Sequence, residues 1–332
     1  MVVAAGLLAA APLAAGCGSD QLDGSPPTIE PARAAQSPPA GTTPVGEVLA
    51  LGGRPQAAVM VGDSLVVLTP GADDTAPAAL AVVGPTGAPR TVALPGPVTA
   101  VAGDGSGTAY AATRGGFFAV DLAAGTANRT EVGEADTDFT AIARRADGRL
   151  VLGDADGVAY TLDQDGRVAG KADIFARVDA LVAQGDVAVV LDRGQTSVTA
   201  LKPDGSRAQA LRAGLGATTI AADQAGRVLV ADSRGGQLLV FGVDPLIERQ
   251  AYPVGESPYG IAGSRTLVWV SLTASNTVVG YDLGTGIPVE KVRYPTVQQP
   301  NALAYDESSG TLYVVSGSGA GVQVIRDAGG PR

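Results

Sequence analysis

A small residue, then Ile, Leu or Val, then usually another small residue, recurs seven times in this chain, and the spacing of this element limits the fold more than any other feature. It appears as Ala58-Val59, Ala100-Val101-Ala102, Ala141-Ile142-Ala143, Ala180-Leu181-Val182, Thr219-Ile220-Ala221, Gly260-Ile261-Ala262 and Ala302-Leu303-Ala304. The central residues lie 42, 41, 39, 39, 41 and 42 positions apart. A period near 40 with about four short strands per unit is the pattern of a β-propeller, in which each repeat builds one blade. The expected fold is all-β: a seven-bladed β-propeller over residues 45–332.

Each unit reads alike. The triplet is followed by an Asp- or Gly-rich turn such as Asp104-Gly105 or Asp147-Gly148. An apolar run follows, as in Leu150-Val151-Leu152, then a polar loop, a third strand and a more polar outer strand. The last unit ends soon after Val322-Gln323-Val324-Ile325 and lacks a fourth strand. Val45 to Leu51 precedes the first triplet as an outer strand would. It is therefore expected to close the ring on the carboxy-terminal strands and remove the exposed edge.

Residues 1–16 carry no charge and are almost wholly Ala, Leu, Val and Gly. The run is short for a membrane span and suits a secretory signal. It ends Leu13-Ala14-Ala15-Gly16-Cys17, similar to a bacterial lipobox, with the only Cys of the chain where lipid would be attached. Cys17 is thus the expected lipidation site. The expected location is the outer face of the cytoplasmic membrane, held by that anchor. Residues 17–44 hold Pro at 26, 27, 31, 38, 39 and 44 among small residues, and read as the lipidated Cys followed by a disordered linker.

Composition removes several functions. The chain has no His, which excludes a His general base, a Ser-His-Asp triad and His-ligated metal. One Cys excludes an internal disulfide. A net charge of −10 argues against nucleic acid as a partner. No cofactor and no metal is expected, and the protein is expected to be monomeric. Asp154-x-Asp156-Gly157 and Asp163-x-Asp165-Gly166 resemble the start of a calcium loop but lack the closing Glu, and read as hairpin turns.

Trp269-Val270-Ser271 with Asn276 to Asp282, and Tyr313 to Ser316 with Val322 to Ile325, resemble the YVTN/NHL-type propeller repeats of bacterial surface proteins. The chain also resembles, nearly end to end, the mycobacterial LppL-type lipoproteins. Leu191 to Val198, Arg293 to Asn301, Val315 to Val322 and the lipobox carry that likeness. The resemblance implies an envelope lipoprotein without an assigned activity.

Two groups of residues are candidates for a site. Two positions before each central apolar residue stand Ala57, Thr99, Thr140, Asp179, Thr218, Tyr259 and Asn301, expected to ring the channel mouth. They suit a small ligand or merely hydrate a pore. The loops between second and third strands bring Arg114, Asp154, Asp192, Arg193, Asp232, Arg234 and Asn276 to the same face. There they would bind a partner or pair with each other across blades. The favoured function is a non-catalytic binding or scaffold propeller that presents this face to an envelope protein or glycan. The alternative is a hydrolase or lyase that uses Asp and Arg without His.

Overall fold

The structure is a computed structural model that describes residues 27–330. Its described residues form seven four-stranded antiparallel sheets and no helix. The innermost strands are Ala57–Val61, Ala100–Gly103, Phe139–Arg144, Ala180–Gln184, Ala217–Ala222, Pro258–Gly263 and Pro300–Asp306. Each contacts the innermost strand of the next blade, and Pro300–Asp306 returns to Ala57–Val61, so the ring is closed. The recurring triplet lies at the centre of these strands. Small residues there let seven strands crowd around one axis and line a shared channel, while the branched residues, such as Val59, Ile142, Ile220 and Leu303, pack into the clusters between blades.

Blade seven is composite. Glu47–Leu49 pairs antiparallel with Val322–Ile325, with Glu47 opposite Val324 and Leu49 opposite Val322. The closing strand expected from the sequence is present, shorter than the 45–51 segment. The buried Gln323 fastens this junction. Its Nε2 donates to Val45 O at 2.7 Å and Pro295 O at 3.1 Å, and its Oε1 accepts from Val297 N at 3.1 Å.

The core lies between blades rather than in one central mass. Each apolar cluster draws on two neighbouring blades, as where buried Trp269 of blade six stacks on Tyr305 of blade seven at 5.9 Å. Hydroxyl groups add a second fastening around the channel. Thr99 Oγ1 donates to Phe139 O of the next blade at 2.6 Å, and Ser271 Oγ donates to Pro300 O at 2.5 Å. Thr140 to Val178 O, Ser233 to Pro258 O and Thr219 to Tyr259 O repeat the contact.

The linker departs from expectation. Residues 1–26, including Cys17 and the signal, lie outside the described residues. Residues 29–38 are not a free tether but lie across the loop face. Ile29 N donates to Gly194 O at 2.8 Å, and Asn276 Nδ2 donates to Pro38 O at 2.8 Å. The reading from composition weighed only apolar burial, and this segment is held chiefly by main-chain hydrogen bonds. Ala32 and Ser37 are its two buried residues.

Candidate functional site

Asp154, Asp192 and Asp232 each end the second strand of their blade. Their carboxylates are turned inward and are at most 2% exposed. Asp192 Oδ2 accepts from Ala176 N at 2.8 Å and Arg177 N at 3.3 Å, while its Oδ1 accepts from Gln195 N at 2.8 Å. Asp232 accepts from Leu215 N, Gly216 N and Gly235 N at 2.8, 2.9 and 2.9 Å. Asp154 accepts from Asp156 N at 3.1 Å, Val158 N at 2.8 Å and the Tyr160 hydroxyl at 3.0 Å. Burial and that bond to Asp154 push the Tyr160 hydroxyl up to about 12.

These carboxylates therefore fasten the turns that follow them, and Asp192 and Asp232 also hold the connections arriving from the preceding blade. They do not pair with Arg across blades, which corrects the ion-pair reading of the cluster. The hydroxyls at the same strand position act alike: Thr113 Oγ1 donates to Pro97 O at 2.7 Å and Ser316 Oγ to Gln298 O at 2.6 Å. Gly157 completes the Asp154 turn at φ +89°, where a Cβ would lie 2.0 Å from Phe175 O. Asp163 makes an equivalent turn, accepting from Asp165 N at 2.9 Å and Arg167 N at 2.8 Å.

The channel-mouth ring divides. Ala57, Thr99, Tyr259 and Asn301 line a cavity of about 910 Å³ together with Arg54, Gln56 and Arg193. Among the described residues no carboxylate lines it, while two Arg do. Thr140 and Thr218 are buried instead. Thr140 bonds the next blade, and Thr218 Oγ1 lies 2.7 Å from Ser233 Oγ, which does the same. Asp179 is nearly buried and accepts from Arg193 N at 2.7 Å, with Arg177 Nε 3.4 Å away.

Burial pushes the Asp179 carboxyl above its ordinary value of 3.8, against the opposing pull of the Arg193 N–H and the two guanidinium charges. A carboxyl that holds its proton more tightly when folded makes the native state bind more protons just above that ordinary value. Stability therefore falls as pH rises through the interval between the ordinary and the raised value. Asp179→Asn is expected to remove this contribution and to gain on the wild type as pH rises from about 3 to 7. Urea midpoints of both proteins across that range check it, and a pH-independent difference would contradict it.

The loop cations hold other things. Arg114 is exposed and lies 3.9 Å from Asp138. Arg193 donates through Nη2 to Ala32 O, and Arg234 through Nη2 to Glu30 O at 2.7 Å. Asn276 holds Pro38 O and accepts from Gln299 N at 3.2 Å.

Ser257 and Gln299 are contact residues that the sequence reading did not single out. Ser257 Oγ accepts from Ala35 N at 2.8 Å. Gln299 Nε2 donates to Ala35 O at 3.0 Å, and its Oε1 accepts from Ser37 N at 2.9 Å. The available signal was positional. Both precede the Pro that opens an innermost strand, Pro258 or Pro300, at matching places in blades six and seven.

No protein-family model matches the chain, and no curated protein matches it. Solved structures do match in fold. A chain of the mitotic checkpoint complex is 13% identical, with 89% of this chain and 98% of that one covered and a TM-score of 0.71. A streptogramin B lyase is 11% identical over 84% and 97% of the two chains, with a TM-score of 0.68. A catalytically inactive histidine-to-alanine variant of virginiamycin B lyase from Staphylococcus aureus, with quinupristin, is 12% identical over 84% and 97%, with a TM-score of 0.65. At these identities the likeness shows the β-propeller fold.

Proposed function

We propose that this protein is a non-catalytic binding propeller of the cell envelope, held by lipid on Cys17, whose loop face and channel mouth receive a protein or glycan partner. One observation carries the reading. Asp154, Asp192 and Asp232 of the loop face are bound by backbone N–H groups, and among the described residues the mouth cavity is lined by Arg54, Arg193, Tyr259 and Asn301 without a carboxylate. Acid–base hydrolysis of the glycosidase kind needs two free carboxyl groups facing one bond. Cations, a phenol and an amide suit recognition of a polar or anionic group.

The likeness to a lyase inactivated by loss of a histidine does not carry that activity to a chain with no His. The resemblance to LppL-type lipoproteins and the lipobox support the envelope location.

The test is cross-linked capture from an envelope extract. The wild type is expected to recover a partner that Arg54→Glu and Tyr259→Ala both lose, and labelling with an alkyne fatty acid is expected to vanish in Cys17→Ala. Equal recovery by all three proteins would overturn the binding face. Labelling that persists in Cys17→Ala would overturn the anchor.

A further inference from the structure

We infer that the loop face is a groove that reads the main chain of an extended, proline-containing polypeptide, and that residues 29–38 occupy it in cis. This rests on the reading of that face as a recognition surface and names the chemistry of what it takes.

The contacts carry the argument. Across residues 29–38 the propeller engages the N–H of Ile29, Ala35 and Ser37 and the carbonyls of Glu30, Ala32, Ala35, Ser37 and Pro38. Only Ser37 is held through its side chain as well, donating to Thr273 O at 2.6 Å and accepting from Gln299 N at 3.1 Å. The Glu30 and Arg33 side chains are 82% and 84% exposed. The face therefore recognises amides and asks only for small residues at two places, 32 and 37. Ala32 sits so close that a Cβ on Gly216 would lie 2.9 Å from its own. Proline is accepted at 38 because only its carbonyl is used.

Gln299 acts like a strand residue. Its amide joins the carbonyl of Ala35 to the N–H of Ser37, the two groups flanking one residue that a parallel neighbour would bond. The backbone at these contacts is strained. Ser257 and Gln299 stand at φ +52° and +56°, although each precedes a proline, where extended backbone is favoured. Such outliers persist where the surroundings hold them and mark binding sites. Here both hold Ala35. A segment joined to the propeller by a short linker competes at an effective concentration on the order of millimolar, so it shields the groove from weak ligands.

The test uses the full chain and a fluorescent peptide of residues 27–40. Hydrogen exchange on the unaltered protein is expected to show protected amides at Ala35 and Ser37. Ala32→Arg unseats the cis segment and is expected to bind the peptide at least about tenfold more tightly than the wild type does. Adding Gln299→Ala, or N-methylating the peptide at its Ala35 and Ser37 positions, is expected to cost about tenfold. Unprotected amides, or equal affinity for the N-methylated peptide, would overturn the inference. Envelope capture through Arg54 and Tyr259 is read separately. Peptide binding lost with capture intact rejects the groove alone, and capture lost with peptide binding intact rejects the envelope partner alone.

Discussion

Asp232→Ala is expected to lower the unfolding free energy by about 3–5 kcal/mol and the melting temperature by on the order of 10 °C. The substitution removes an acceptor and leaves three N–H groups, of Leu215, Gly216 and Gly235, without a partner. Each such group costs about 1–3 kcal/mol when it stays buried, and water reaching the two partly buried ones reduces the total. The carboxylate is packed against glycines that have no room for a side chain, because a Cβ on Gly214 or Gly235 would meet its oxygen at 2.0 or 2.1 Å. Asp232→Asn should fall between. Its single carbonyl oxygen can serve one side, while its NH₂ group faces N–H donors on the other. Thermal unfolding of the three proteins by circular dichroism checks the order. An Asp232→Ala protein within about 2 °C of the wild type would show that the loops do not depend on this carboxylate.

Removing residues 1–51 should have a still larger effect, on the order of 5 kcal/mol or more, with loss of soluble monomer. The deletion strips Glu47–Leu49 from Val322–Ile325 and takes Val45 O from Gln323. It also uncovers the apolar cluster of blades seven and one that Leu49 and Leu51 cover. The edge left behind would present unpaired backbone groups to other chains. A chain lacking only residues 1–40 separates ring closure from the strap across the face, and should elute in the same oligomeric state as the full chain. Size-exclusion chromatography and thermal melts of both truncations check this. Equal behaviour of the two would mean that Glu47–Leu49 does not close the ring.

The propeller was legible because its signal is local and repeated. Seven strands crowd around one axis, so a small residue before a branched one, usually with another small residue after it, recurs in every blade down to Ala302-Leu303-Ala304. The closing strand was legible from what the last repeat lacked. The site was only half legible. An Asp in a Gly-rich loop has the same letters whether it meets a ligand or caps its own turn. Asp192 and Asp232 proved to do the second. Tyr259 and Asn301 were found from their place relative to the triplet, which put four of the seven such residues on the cavity and left Thr140 and Thr218 buried. Gln299 and the docked strap escaped notice because main-chain recognition leaves little trace in side-chain chemistry: residues 29–38 look like any linker apart from small residues at 32 and 37.

The chain leaves the loop face at Ile29, beside Gly194 of blade four. With a lipid on Cys17, twelve residues join that exit to the bilayer. They reach at most about 40 Å. Under the proposed anchor the loop face would therefore stay within that distance of the bilayer, and an extended segment would reach the channel mouth more readily than a large folded protein.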